Sequence, residues 1–405
     1  MKRPTLPILI AISAVNPLSL NILQPAIPGL AIGFMTSYGT AQLTLTAYLA
    51  AFAVAQLVHG PLSDRYGRRP VVLGGFVLFL VGTLACSLAT SIEALIASRV
   101  IQAAGGCAGF ILARAIVRDL HNREKSASQL GYITTVMVIA PMVSPALGSL
   151  VDAQFGWRGI FATLLLIGVA VLAVSYVFLH ETRPARTGAG PALFSAFGIL
   201  MRNRLFLAHT ATLSFTTATF FSFLGGAPYV VVNILDEAPS TYGIYFIVSS
   251  LGYMVGNFIA GRTAERVGAR ALTRYGTALA VAAAAGMAVT QWLAPWSVAA
   301  LFISMVPVTI AQGLTLPSVT ASTVSVRPDL AGAAAGLSGS LQLGLSAFGS
   351  WLVAWLLADT AWPMIAVMGA TAVLAFIAAR IAGRLSDNEP RTPARHEVGT
   401  MIVPQ

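Results

Sequence analysis

The segment Gly60-Pro61-Leu62-Ser63-Asp64-Arg65-Tyr66-Gly67-Arg68-Arg69-Pro70 stands between two long apolar runs, and its spacing returns 201 residues later. Gly261, Glu265, Arg266, Gly268 and Arg270 fall at the offsets of Gly60, Asp64, Arg65, Gly67 and Arg69. A charged hairpin loop repeated at half-length constrains the chain to two similar bundles of membrane-spanning helices, the ground plan of many secondary transporters.

Composition agrees with that plan. Hydrophobic residues make up 57% of the chain and charged residues only 9%, against about 25% in typical soluble domains. A bilayer core takes about 20 apolar residues per helix. On that ruler twelve spans fall at about 6–33, 41–61, 71–90, 93–115, 129–151, 158–179, 204–231, 241–262, 273–291, 296–318, 331–357 and 361–383. The first run is too long for a signal-peptide core. Cys86 and Cys107 lie inside apolar runs and fit neither a disulfide framework nor a metal-ligand spacing, so no metal or other cofactor is expected.

The net charge of +10 is a topology signal. With the N-terminus in the cytoplasm, all 24 basic residues except Arg99 and Arg158 fall in cytoplasmic segments or the adjoining helix ends. That segregation argues against nucleic acid as a partner and places both termini in the cytoplasm. The polar, Gly- and Pro-containing stretch 181–203 reads as a cytoplasmic linker between bundles at 1–180 and 204–384. The polar tail 385–405 is expected to be disordered. Gly156-Trp157 before the sixth span corresponds to Ala361-Trp362 before the twelfth.

Three ordered motifs carry a resemblance to a known family. They are the Gly60–Pro70 loop; Arg99-Val100-Ile101-Gln102-Ala103-Ala104-Gly105-Gly106 with the later Arg114, Arg118 and Asp119; and Ala140-Pro141-Met142-Val143-Ser144-Pro145-Ala146-Leu147-Gly148 followed by Phe155-Gly156-Trp157-Arg158. Over nearly its whole length the chain resembles the major facilitator superfamily. Within it, the chain is most similar to the bacterial twelve-span drug:proton antiporters of the bicyclomycin- and chloramphenicol-resistance branch. The resemblance implies an all-α membrane protein, two pseudo-symmetric six-helix bundles, the bacterial inner membrane, a small-molecule substrate, protons as the coupled ion and a monomer.

The residues themselves say more. Asp64 lies among basic anchors that topology explains, Arg68 included, but a carboxylate there does not serve the positive-inside rule. It suits the positive N-terminal end of a neighbouring helix, and the resemblance implies the eleventh. Gly60, Asp64, Arg65, Gly67, Arg69 and Asp119 then form a gate, with Asp119 pairing to an arginine of the loop. Arg99 falls about two turns into the fourth span, where a buried cation is functional by default, and Gln102 shares its face. Pro141, Pro145 and Gly148 suit a hinge and seal.

The first span departs from the family. Asn21 stands where the resemblance implies an aspartate, and no Asp or Glu lies deep in any span. Among the histidines, His59, His180 and His209 are the near-neutral titratable groups left. The substrate cavity is expected to draw on Asn16, Asn21, Gln24, Tyr48, Arg99 and Gln102. From the second half come Phe220, Phe221, Tyr229, Tyr253, Asn257, Gln312 and Gln342. No nucleophile–base pair, metal cluster or phosphate loop argues for an enzyme. The expected function is polyspecific efflux by alternating access. The alternatives are a narrow metabolite exporter or an uncoupled facilitator, then a transporter-like sensor or a channel.

Overall fold

Gly67 and Gly268, the glycines that the half-length repeat pairs, both adopt left-handed backbone, with φ of 103° and 83°. Each ends one span and starts the next, where a side chain on the residue would be strained. The computed structural model describes residues 5–120, 123–182, 193–293 and 296–388, and all regular structure among them is helical.

Twelve passes follow from these helices. The first runs Leu6–Asn21, breaks at a short 3-10 turn Gln24–Ala26, and resumes as Ile27–Gly33. Pro25 and Pro28 lack the amide hydrogens that a continuous helix would use there. The second, third and fourth are Tyr38–Tyr66, Arg68–Ser87 and Ile92–Leu120. Arg123–Phe178 holds the fifth and sixth, folded at Gly156, whose φ of 68° leaves the helical region. The seventh is Arg204–Tyr229, continued as a π-helical turn Val230–Ile234. The eighth to twelfth are Pro239–Val267, Ala269–Leu293, Val298–Ser325, Ala331–Leu356 and Trp362–Asn388.

Ten stretches are long and apolar enough to cross a membrane, and one of them, Tyr132–Phe178, contains two passes. Ala331–Leu356 is not among the ten, because its glycines and serines dilute its hydropathy. It packs against the second and seventh spans.

Two boundaries differ from the sequence reading. The expected linker 181–203 contains the helix Leu193–Arg202. Its Ala196 and Leu200 bury against Phe206, Leu330, Ala334 and Leu337, so apolar spacing overrides the polar composition around it. The last helix runs to Asn388, past the expected end at 384, and Asp387 there pairs with Arg270. The remaining tail and residues 183–192 lie outside the described residues.

The two halves touch at one end. At the end away from the charged loops, Gly39 lies against Ala354. Gln42 Nε2 donates to Ser350 Oγ at 3.0 Å, and the Tyr38 hydroxyl donates to the Gly225 carbonyl at 2.9 Å. Nearer the middle, Ser340 Oγ donates to the Ala53 carbonyl at 2.7 Å. Towards the basic end, a Cβ on Gly60, Gly332 or Gly336 would meet nothing within 4 Å. The second and eleventh spans therefore splay apart from Gln56 onward.

Candidate translocation pathway and gates

Arg99 is fully buried, and every partner that its guanidinium meets is neutral. Nη1 donates to Gln102 Oε1 at 2.5 Å and to the Ser19 carbonyl at 3.2 Å. Nη2 donates to the same carbonyl at 3.2 Å, and Nε donates to the Thr44 carbonyl at 3.3 Å. The cation stands 4.1 Å from the centre of the Tyr48 ring, an attraction that strengthens when water is excluded. Gln102 Nε2 in turn donates to Thr83 Oγ1 at 2.8 Å. One cation thus ties together the first four spans. With no exposed surface in this state, it reaches a substrate only if the bundle rearranges.

A second buried group bridges the halves. Tyr242, of the eighth span, donates its hydroxyl to Gln24 Oε1 at 2.8 Å. Gln24 Nε2 donates to Asn21 Oδ1 at 2.9 Å, and Asn21 Nδ2 donates to the Pro17 carbonyl at 2.8 Å. Each amide uses both ends, and the relay carries no charge. Beside it, a Cβ on Gly148 would collide with the Ile22 carbonyl. A Cβ on Gly243, across the seam, would meet Ser149 Oγ and, at 3.0 Å, the Pro145 carbonyl. Pro145 therefore sits at the closed seam, while Gly148 packs on Ile22 within the first half. A Gly243→Leu substitution should wedge that seam, and thiol reagents applied from its side should label cysteines placed at Gln42 or Ser350 more strongly. Unchanged labelling would show that the close approach is not what holds the seam shut.

At the opposite end the charged loop forms a network. Arg68 is its hub, with Nη1 donating to Asp64 Oδ1 at 2.7 Å and to Ser63 Oγ at 2.5 Å. Its Nε donates to Asp119 Oδ2 at 2.9 Å. The view of Arg68 as a simple anchor is thereby corrected: its side chain is only 12% exposed and joins the second span to the fourth. Asp64 is 47% exposed and faces Arg68 rather than the eleventh span in this state. Gly67 lets Glu181 approach, which caps the third span by accepting from the Arg68 and Arg69 amides at 2.9 and 3.2 Å. Arg69 also donates to the Tyr176 carbonyl at 2.9 Å. By composition Glu181 falls in the linker, and its one local signal is a lone acid one residue past an apolar run.

The second-half candidates do not converge on one point. Phe220 packs on Phe221 and Phe246, with ring centres 5.9 and 6.2 Å apart. With Gln312, Thr216 and Thr219 it lines a small cavity inside the second bundle. Gln342 Nε2 donates to Thr217 Oγ1 at 2.7 Å, and Asn257 Nδ2 donates to the Tyr253 carbonyl at 3.0 Å. Tyr229 lies at the closed end, 4.8 Å from Tyr38, on a vestibule of about 230 Å³ that also touches Pro28 and Asn233. Asn16 Nδ2 is buried without a partner near Gly106. His59 is bound to its own helix at the Ala55 carbonyl, and His180 to the Phe178 carbonyl. Among the described residues no group of His, Cys, Asp and Glu could hold a metal.

This architecture is that of a transporter with one end closed. The sequence profile of the Major Facilitator Superfamily matches residues 9–350, and the chain belongs to that family, which is one of transporters and not of enzymes. It is 30% identical over 372 residues to the MFS-type transporter YdgK of Bacillus subtilis (strain 168), covering 91% of this chain and 92% of that one. It is 31% identical over 360 residues to a chloramphenicol resistance protein of Pseudomonas aeruginosa, covering 86% and 83%. Multidrug resistance protein D of Escherichia coli (strain K12) is 28% identical over 334 residues, covering 82% and 84%. Among solved structures, a bacterial homolog of the human lysosomal transporter Spinster shares the fold, with a TM-score of 0.69 at 17% identity over 94% of this chain and 96% of that one.

Proposed function

We propose that the protein is a polyspecific efflux transporter. It exports small, mostly neutral or anionic drug-like compounds across the bacterial inner membrane by alternating access, linked to protons, and works as a monomer. The observation that carries this is the one-sided seam: buried hydrogen bonds join the halves at one end, and the second and eleventh spans part towards the other. Two halves so arranged rock about a site between them. The resistance proteins among its relatives support export of drugs. Positive-inside segregation assigns the open, basic end to the cytoplasm, so substrate enters there. Reporter fusions at the C-terminus and near Gly190 should both give cytoplasmic signals. A periplasmic signal from either would break the twelve-pass topology.

Substrate charge follows from the polar groups present. Among the described residues, neither the buried cation Arg99 nor the amides Asn16, Asn21, Gln24 and Gln102 bonds to a carboxylate. A positive charge at low dielectric repels cations. In an efflux-deficient bacterium, the protein should raise resistance to phenicol-like neutral compounds more than to quaternary ammonium dyes. Strong resistance to cations alone would overturn that assignment. Transport into inside-out vesicles, with and without a pH gradient, tests the proton link. The uncharged Tyr242–Gln24–Asn21 relay favours one second reading, an uncoupled facilitator, which predicts the same flux in both conditions.

A further inference from the structure

The second and eleventh spans run antiparallel in a continuous register. Gly39 meets Ala354, Gln42 meets Ser350, Ala53 meets Ser340 and Gln56 meets Gly339. Extending that register along the same faces brings Gly60 opposite Gly336 and Asp64 opposite the first turn of Ala331–Leu356. The turn immediately before it, Arg327-Pro328-Asp329-Leu330, carries one cation and one anion. They are paired to each other: Arg327 Nε donates to Asp329 Oδ1 at 2.9 Å and Nη2 to Oδ2 at 2.7 Å. Both side chains are exposed, so the pair is given up easily. Asp64, itself 47% exposed, is held by a pair across the Gly67 turn, to Arg68 in the same half.

Closure creates an electrostatic problem that is particular to this turn. Asp329 already occupies the helix start, where hydrogen bonding from Arg327 holds its carboxyl below the usual range. Bringing Asp64 to the same helix end sets two carboxylates side by side, which is unfavourable unless a cation joins them. A guanidinium has five donors in a fixed fork and can hold two carboxylates at once.

We propose that Arg327 is the receiving partner of Asp64 when the basic end closes. Asp64 leaves Arg68 for Arg327, Asp329 shares the same guanidinium, and Arg68 keeps Asp119. The exchange replaces a pair within one half by a pair between halves, so closure sacrifices no ion pair. This rests on the gate role of Asp64 in the proposed transport cycle and adds the residue that receives it.

Spin labels on cysteines at Tyr66 and Ser325, both exposed at this end, read the opening directly and need no substrate. Pulsed electron resonance should give a long and a short distance in the parent protein, with the short one enriched by Gly243→Leu at the far seam. Arg327→Gln should cut the short-distance population about tenfold, a coupling within the range of contacting charged residues. In an Asp64→Asn background the same substitution should change it no further. Unchanged populations in Arg327→Gln, or an equal drop in the Asp64→Asn background, would overturn the partnership. A parent protein with no short distance, even with Gly243→Leu, would instead reject the gate itself and the partnership with it.

Discussion

Asp64→Asn should lower export at least about tenfold while the protein still inserts and expresses at the parent level. In this state the Asp64 carboxylate, 47% exposed, pairs with Arg68 across the Gly67 turn, an interaction of at most about 1 kcal/mol. Losing it cannot unfold the bundle or much perturb this conformation. The charge matters where it is not yet engaged, at the start of Ala331–Leu356, which Asp64 does not reach in this state. An amide there forfeits the attraction to a helix N-terminus and to any cation beside it. The closed state then weakens relative to the open one, and the cycle stalls. Export measured against membrane expression tests this; a variant that transports like the parent would remove Asp64 from the gate.

Arg99→Lys should reduce transport by more than about tenfold although it conserves the charge. The guanidinium reaches Ser19, Thr44 and Gln102 at once while its face lies over Tyr48. An ammonium is a point charge with three donors and cannot span those acceptors from one position. Truncating a buried hydrogen-bonded charge network typically costs about 2–5 kcal/mol. The variant should therefore also melt at lower temperature, and neither effect should be mended by adding charge elsewhere. Parent-like transport by Arg99→Lys would mean that only the charge is needed there, and the view of Arg99 as a four-span tie would fall.

Local features were legible in the sequence wherever one residue's own physics decided the outcome. The left-handed glycines at Gly67 and Gly268 could be read from the repeat, because a charged hairpin between helices needs a residue free to take positive φ. The passes were read from apolar length, and helices continue past the apolar run at the charged end: the second, expected at 41–61, runs Tyr38–Tyr66, and the twelfth, expected at 361–383, runs to Asn388. Composition misled at Leu193–Arg202, where Ala196, Phe197 and Leu200 at helical spacing pack with Phe206 and Leu337.

The candidate site was legible in part. Arg99 and Gln102, three residues apart on one face, meet each other as their spacing implies. Asn21 and Gln24 likewise bond one turn apart. Tyr242, the residue that completes their relay, stands 218 residues from Gln24 and carries no local mark.

Transfer energy and backbone sterics thus determined, from the sequence alone, which segments cross the bilayer, where they turn and which end is basic. Only the tertiary structure decided which helix face meets which: Glu181 with Arg68, Tyr38 with Gly225, Gln42 with Ser350, over separations of 113, 187 and 308 residues. The reason is physical. Lipid tails are as apolar as leucine, so hydrophobicity drives helices into the membrane but does not choose their neighbours. Close-packed glycines and a few buried hydrogen bonds make that choice, and their partners lie too far along the chain for any local pattern to record.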